Sequence, residues 1–241
     1  GGAVTIVGIG SVRGGPGVTT TAMLIAGALA GPAAVGEADL AGGALAVLDG
    51  LGREPGLTTL AAAGAIDGDG WKAHAQDAGG VPVIVGPDSP DHTRALWDRA
   101  GRRIASALTA SEVTWVADLG RVGDDTPLAD DLALLLVVVR PVAEHLVTLS
   151  HRLPALRRRT PNIAVILSGR GAYSPEDVAA PLGVEVVGVI PHDERAADAM
   201  SGTGHLRSLA RSGLFRSTTA IAHALDSTLA HGLLAPAGAH R

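Results

Sequence analysis

Short apolar runs rich in β-branched residues recur along this chain, and longer amphipathic or alanine-rich stretches separate them. The short runs have the length of strands and the longer stretches the length of helices. The predicted strands are Ala3–Ile9, Ala33–Gly36, Val81–Val85, Val113–Asp118, Leu134–Val139, Ile163–Leu167 and Val184–Ile190. The predicted helices are Val18–Ala30, Leu57–Ala63, Ser89–Leu108, Ala143–Arg158, Pro175–Ala180, Glu194–Met200 and Phe215–Leu233. Because strands alternate with helices, we predict an α/β fold with one doubly wound, mainly parallel sheet flanked by helices.

The size and composition of the chain agree with such a sheet. Hydrophobic residues make up 46% of the chain and aromatic residues only 2%, so aliphatic side chains must fill the core. This is typical of parallel strands covered on both faces. We expect a single domain over residues 1–241, because a chain of 241 residues can bury one sizeable core. Since the chain begins Gly-Gly rather than with Met, excision of this domain from a longer chain is an open alternative.

Charge and residue usage restrict the environment and the partners. The net charge of −5 and the pI near 6.0 provide no attraction of the whole protein to nucleic acid or to an anionic membrane. The chain has no cysteine, and no apolar run approaches the roughly 20 residues of a membrane span. We therefore expect a cytoplasmic protein without disulfides or thiolate metal sites.

The stretch "GIGSVRGGPGVTTTAML", residues 8–24, has the outline of a phosphate-binding loop. In such loops, glycines let backbone N–H groups point at one phosphate, and the next helix adds its positive N-terminal end. A lysine supplies further charge and a Ser or Thr hydroxyl binds Mg²⁺. A predicted strand precedes this stretch and a predicted helix follows it, as the motif requires. The stretch contains no lysine, however, and the only lysine of the chain is Lys72.

The spelling of this stretch resembles the variant loop K-G-G-x-G-K-T-T of the MinD/ParA family of dimerising ATPases. Arg13 stands at the first, signature lysine of that pattern, and Val18 stands at the main lysine. The residues that match the pattern are Gly14, Gly15, Gly17, Thr19 and Thr20.

Other segments extend the resemblance over nearly the whole chain in the family's order. "VGEADLAGG" places Glu37 and Asp39 at the two aspartates of an acidic motif, and "VTWVADLG" places Asp118 at the end of a strand. "LALLLVVVRPVAEHL" resembles the strand and helix after the second switch loop. "VVGVIPHDERAADAM" resembles the segment that lines the adenine pocket, with Pro191 and Asp193. Within the family, the chain is most similar to MinD-like proteins of the CpaE/TadZ type, which are associated with septum placement, pili or secretion.

The resemblance implies a P-loop NTPase fold and a site for ATP or ADP with Mg²⁺. The Mg²⁺ side of the implied site comprises Thr19, Glu37 and Asp118. The implied nucleotide contacts are Gly14, Gly15, Gly17, Val18, Thr19, Thr20, Pro191 and Asp193. Asp39, which would orient the attacking water, and Arg13, which would reach a partner's nucleotide, are the implied catalytic residues.

The substitutions in the loop argue against efficient hydrolysis. With Val18 in place of lysine, one contact to a charged group is lost, which is worth about 1.5–3 kcal/mol. The loss is larger in the transition state, because phosphoryl transfer depends on positioned charge. Pro16 removes one N–H from the loop, whereas the planar fork of Arg13 can bind phosphate oxygens.

The sequence thus predicts a catalytically impaired, homodimeric MinD/ParA-like protein rather than an active enzyme. It would position or assemble a division, pilus or secretion apparatus by docking a protein partner. The alternative is a slow ATPase with an ATP-dependent switch between monomer and dimer, in which Arg13 acts for the signature lysine.

Two further segments have competing interpretations. The basic run Arg157–Thr160 ends a helix, where cations favour the helix dipole, and a solvated face is favoured over a DNA-binding patch. The last helix carries Leu214, Ile221, Leu225 and Leu229 at roughly helical spacing, and Arg216 is its only Lys or Arg residue between Leu214 and Leu233. Packing in the core is therefore favoured over a membrane anchor for this helix.

Overall fold

An eight-stranded β-sheet organises the protein in its computed structural model, which describes residues 5–14, 17–193 and 212–230. The strands are β1 (Ile6–Ser11), β2 (Ala33–Glu37), β3 (Gln76–Ala78), β4 (Val81–Ile84), β5 (Thr114–Arg121), β6 (Leu134–Val139), β7 (Ile163–Ser168) and β8 (Glu185–Ile190). They lie in the order β3-β4-β2-β5-β1-β6-β7-β8. Only the edge strand β3 pairs antiparallel, with β4, and all other pairs are parallel. The predicted mainly parallel sheet is confirmed.

Helices cover both faces of the sheet. They are α1 (Val18–Ala28), α2 (Leu45–Leu48), α3 (Leu57–Ala62), α4 (Pro90–Thr109), α5 (Ala143–Arg159), α6 (Pro175–Leu182) and α7 (Gly213–Ala230), with a 3₁₀ helix at Gly68–His74. Side chains alternate between the faces along each strand, so Ile6 belongs to one buried cluster and Val7 to the other. The first cluster contains residues of α3 to α6, and the second contains residues of α1 and α7. The core is therefore two apolar layers separated by the sheet.

The part of the fold that sequence reasoning missed lies before β4. Gln76–Ala78 is a short polar strand that forms a hairpin with β4 across Gly79-Gly80, and no apolar run marks it. The 3₁₀ helix ahead of it buries Trp71, whose ring packs edge-on against Trp115 with centroids 4.9 Å apart. These elements are held by tertiary packing and not by local hydrophobic periodicity.

The C-terminal helix packs in the core, as the sequence favoured. Leu214, Ile221 and Leu225 of α7 are buried in the same cluster as α1. The helix predicted at Glu194–Met200 lies outside the described residues. Among the residues that the structure describes, no helix is long and apolar enough to cross a membrane.

The basic run at the end of α5 makes contacts within the protein. Arg159 donates two hydrogen bonds of 2.9 Å to the carboxylate of Asp130 and also bonds the carbonyl of Asp124. Arg157 donates to the carbonyls of Leu182 and Gly183. Arg157 and Arg159 therefore use many of their N–H donors to bond neighbouring segments of the protein.

Candidate functional site

The loop after β1 has a glycine with a left-handed backbone on each side of residues 15–16, which lie outside the described residues. Gly14 and Gly17 adopt positive φ angles of 70° and 91°, which residues with a Cβ rarely adopt. Gly17 is the N-cap of α1. Because it has no side chain, it cannot cap the first amides of the helix. Backbone N–H groups at a helix N-terminus attract anions. Gly15 lies outside the described residues.

The position matched to the family's main lysine is filled by an apolar side chain. Val18 is 6% exposed and belongs to the buried cluster of α1 and α7. The only lysine of the chain, Lys72, lies in the 3₁₀ helix and pairs with Asp69. Helix α1 therefore provides two hydroxyl groups to the site, those of Thr19 and Thr20, but no positive side chain.

Arg13, matched to the signature lysine, is directed toward its own α5. Its guanidinium forms an ion pair with Glu144, and its Nη1 lies 3.3 Å from the Oγ1 of Thr148. The side chains of Arg13 and Glu144 are 42% and 64% exposed. The structure therefore does not bring Arg13 into the cavity described below.

Asp118 lies at the centre of the site, next to the loop. Strand β5 runs between β1 and β2, and Asp118 pairs with Ile9 on one side and Glu37 on the other. Its carboxylate is 1% exposed and accepts hydrogen bonds from the Thr19 hydroxyl and from the Gly120 amide. Burial raises the pKa of Asp118 to about 6, although these hydrogen bonds oppose the shift. A carboxylate and a threonine hydroxyl are oxygen ligands of the kind that Mg²⁺ prefers, and the role of Asp118 and Thr19 as Mg²⁺ ligands stays a prediction.

Glu37 is fastened to the backbone of two loops. Its Oε1 accepts hydrogen bonds of 2.5 and 2.8 Å from the amides of Ala44 and Leu45, and its Oε2 accepts one of 2.9 Å from Gly86. The residue is 2% exposed, and burial raises the pKa of its carboxyl group. The hydrogen bonds make Glu37 an anchor for the loop after β2. Its role as a Mg²⁺ ligand stays a prediction.

Asp39 reaches the cavity beside the loop. Its Oδ1 accepts a 2.8 Å hydrogen bond from the amide of Ala41. Burial raises its pKa, and the Ala41 N–H and the charge of Arg121 act in the opposite direction. The carboxylate packs so closely on Gly120 that a Cβ there would collide with it. Asp39 is thus held at the carboxyl end of the sheet beside the cavity, and its role in orienting an attacking water stays a prediction.

A cavity of about 700 Å³ joins these groups. One wall consists of Gly14, Gly17 and the first residues of α1, and Asp39 lies beside them. The lining also includes three arginines that come from different elements: Arg94 of α4, Arg121 at the end of β5 and Arg152 of α5. The cavity thus has positive side chains, and those in its described lining do not come from the glycine loop.

These arginines were missed by the sequence analysis. Arg121 follows Asp118 by three residues, and its place just after the predicted strand Val113–Asp118 could have singled it out. Arg94 and Arg152 lie within helices and belong to no local motif, so only the fold brings them to the cavity.

The residues expected to contact adenine lie elsewhere on the described structure. Pro191 and Asp193 follow β8, which β6 and β7 separate from β1. They do not line the cavity of about 700 Å³. Their role in nucleotide binding stays a prediction, and the segment after them is not described.

The hydrogen bonds of Glu37 generate a first prediction. Glu37→Ala leaves three amides without acceptors, one buried and two partly buried, so it should lower the free energy of unfolding by about 2–4 kcal/mol. Hydrogen exchange should accelerate at Ala44, Leu45 and Gly86. Glu112→Ala, at an exposed position, is the control and should change stability by less than about 0.5 kcal/mol. Unchanged exchange at the three amides would show that Glu37 is not the anchor.

Replacing Asp118 should stabilise the folded protein, whereas replacing Glu37 should destabilise it. Because the pKa of Asp118 is raised to about 6, the folded protein keeps a proton that the unfolded chain releases near pH 4, so stability falls as the pH rises through this window. Asp118→Asn removes that penalty and should stabilise the ligand-free protein at pH 7.5 by about 1–3 kcal/mol. The gain should shrink toward pH 4.5 in denaturant titrations.

Asp98→Asn on α4 is the matched control for Asp118→Asn, because Asp98 is exposed. It should have almost no effect at either pH. An Asp118→Asn variant that is no more stable than the wild type at pH 7.5 would refute the electrostatic cost assigned to this carboxylate.

Comparisons with known proteins identify similar folds. No family model matches the chain, and no curated protein matches it significantly. Among solved structures, MinD from Pyrococcus horikoshii, titled as a complex with Mg-ADP, has a TM-score of 0.77 and 18% identity over 96% of this chain and 99% of that chain. A ParA family ATPase from Chlorobium tepidum has a TM-score of 0.74 and 18% identity over 92% and 99%. MinD in a MinC:MinD complex from Aquifex aeolicus has a TM-score of 0.69 and 17% identity over 93% and 96%.

These likenesses extend over nearly the full length of both proteins in each comparison. At this identity they establish architecture and not activity. The chain has the fold of the MinD/ParA P-loop ATPases.

Proposed function

We propose that this chain is a catalytically impaired MinD/ParA-like protein that binds a nucleoside phosphate and acts as a positioning or assembly factor. The observation that carries the proposal is that the described part of the site keeps some features of a phosphate site and lacks the positive side chains of the loop. The glycine loop and the Thr19–Asp118 pair are present, whereas the lysine position is a buried valine and Arg13 is paired with Glu144. Binding can survive such changes, but hydrolysis depends more strongly on positioned charge.

The residues of the cavity fit the phosphates of ATP or ADP. The left-handed backbone at Gly14 and Gly17 leaves room for close approach, and three arginines supply charge. Among the described residues, no group of three or more His, Asp or Glu could hold a metal by itself. A Mg²⁺ ion would therefore bind through Thr19, Asp118 and the phosphates together, and it would supply charge compensation for them.

Slow hydrolysis follows from the surroundings of the loop. No cation extends from α1 to where charge develops on the transferred phosphoryl group. Asp39 reaches the cavity, but its carboxylate is already engaged by the Ala41 amide. The site would thus bind a ligand without turning it over rapidly.

A role in positioning follows from the surface beside the cavity. Val47 on α2 is 81% exposed, and the next residue, Leu48, lines the cavity mouth. Helix α2 begins at the loop that Glu37 anchors, so ligand binding and an apolar docking surface would share one segment. The MinC:MinD complex provides a precedent for a protein partner on this fold. We infer a homodimer that docks a protein of a division, pilus or secretion machine, in the manner of the CpaE/TadZ type.

DNA and membrane partners receive less support. Arg157 and Arg159 bond carbonyls and carboxylates within the protein, and α7 uses its apolar side chains in the core. We expect a cytoplasmic protein that acts through protein contacts.

A slow ATPase remains the second candidate because the Arg13–Glu144 pair is weak. Ion pairs between exposed side chains are worth about 0–1 kcal/mol, so Arg13 can leave Glu144 at little cost. In a dimer it could then reach the partner's nucleotide. ATP-dependent dimerisation together with measurable turnover would favour this candidate over the first.

Calorimetric titration with ATP·Mg²⁺ and ADP·Mg²⁺ tests the proposal. The wild type should bind, and Val18→Lys should bind about tenfold or more tightly, because it restores a charge-assisted contact. Val18→Met is the matched control, since it lengthens the side chain without adding charge, and it should not gain affinity. Thermal melts establish that each variant is folded.

Two results would contradict the proposal. Wild-type turnover of ATP near or above about 1 s⁻¹ would place the chain among ordinary enzymes and remove the claim of impairment. A folded wild type that binds neither nucleotide at millimolar concentration, while Val18→Lys binds, would make the chain a scaffold that has lost its ligand.

A further inference from the structure

The three arginines that line the cavity share one property: none forms an ion pair with an acidic side chain in the described part of the chain. In that part of the chain, ion pairs with acidic side chains are formed by Arg13, Arg53, Lys72 and Arg159. Arg121 and Arg152 each donate one long hydrogen bond, of 3.4 Å, to the carbonyls of Arg13 and Val122 respectively. An arginine has five N–H donors, so most of their donor capacity is not used by these bonds.

Arg121 is closest to the phosphate-like loop. Its Nη2 lies 3.2 Å from where a Cβ on Gly14 would be, and the same nitrogen donates to the carbonyl of Arg13. The guanidinium therefore lies against the glycine loop itself. Arg152 holds a comparable place beside Gly123, where a Cβ would lie 3.1 Å from its Nη1.

The described lining of the cavity carries charges of both signs. Three arginines share it with two acidic residues, Asp39 and Asp125, and the charge of Arg121 acts on Asp39. Arg94 and Arg121 are exposed, so an anionic ligand that enters the cavity can reach their guanidinium groups. A planar guanidinium binds two phosphate oxygens at once, which a lysine cannot do.

We propose that Arg121 is the phosphate-binding cation of this site, with Arg94 and Arg152 flanking it, and that it takes the place of the absent loop lysine. The inference rests on the proposed function, because it assumes that a nucleoside phosphate occupies the cavity. The ligand is a phosphoanhydride, either a nucleoside diphosphate or triphosphate, since a chain of phosphates can reach several guanidinium groups.

The origin of Arg121 has a consequence for regulation. The residue ends β5, three positions after Asp118, and lies in the segment that continues to Gly123 and Asp125 in the cavity wall. A lysine at position 18 would place the charge on α1, which is packed in the core. Here phosphate occupancy would act on the segment after β5 directly, and Arg152 would couple that segment to α5 through the Val122 carbonyl.

Titration calorimetry with two probes tests the inference: ADP with Mg²⁺, and inorganic tripolyphosphate without Mg²⁺. Arg121→Ala should weaken the binding of both probes by about tenfold to a hundredfold. Arg121→Lys keeps the charge without the fork and should recover part of the loss. Arg99→Ala is the matched control, because Arg99 is an exposed arginine of α4 outside this cavity, and it should stay within about twofold of the wild type.

The outcomes separate this inference from the proposed function. If the wild type binds ADP and Arg121→Ala binds it equally well, the assignment of Arg121 is wrong while the nucleotide-binding proposal stands. If Arg99→Ala weakens binding as much as Arg121→Ala, the effect is one of overall charge and the assignment is also wrong. If the folded wild type binds neither probe, the proposed function fails and this inference fails with it.

Discussion

The parallel pairing of β5 between β1 and β2 is the constraint on which the site depends. This register places Asp118 next to both the end of β1, where the glycine loop begins, and Glu37 at the end of β2. Asp118, Glu37 and Asp39 are thereby concentrated at the carboxyl ends of the central strands, and burial raises the pKa of each of them. Glu37 is compensated by three backbone amides, whereas Asp118 keeps an electrostatic cost in the ligand-free protein. Such a cost is common at sites that await a cation or a charged ligand.

The distribution of positive charge around the loop accounts for both halves of the proposed function. A valine packed in the core cannot place charge on a phosphate, which argues against rapid hydrolysis. Arginines from β5, α4 and α5 surround the same cavity, which argues for binding. The two observations are compatible because binding requires net attraction, whereas catalysis requires charge at one defined position. A protein that binds without efficient turnover suits a role in which occupancy, rather than chemistry, sets the state of a docking surface.

The sheet was predictable from sequence because its central strands are short, continuous apolar runs that alternate with amphipathic stretches. The sequence predicted that Asp118, Asp39 and the loop lie close together, because the carboxyl ends of parallel strands lie at the same end of the sheet. The hairpin strand β3 could not be predicted, since Gln76–Ala78 has no apolar pattern. The pairing of Arg13 with Glu144 and the arrival of Arg152 at the cavity depend on where α5 packs, and no local motif records that.

The structure of the protein bound to ADP and Mg²⁺ would test the central claim most directly, because it would locate the charges that meet the phosphates. The account predicts that the β-phosphate lies over the Gly14–Gly17 loop, that the Arg121 guanidinium contacts its oxygens, and that Mg²⁺ lies on the side of Thr19 and Asp118. A complex in which Arg121 points away from the phosphates while Arg13 contacts them would contradict it.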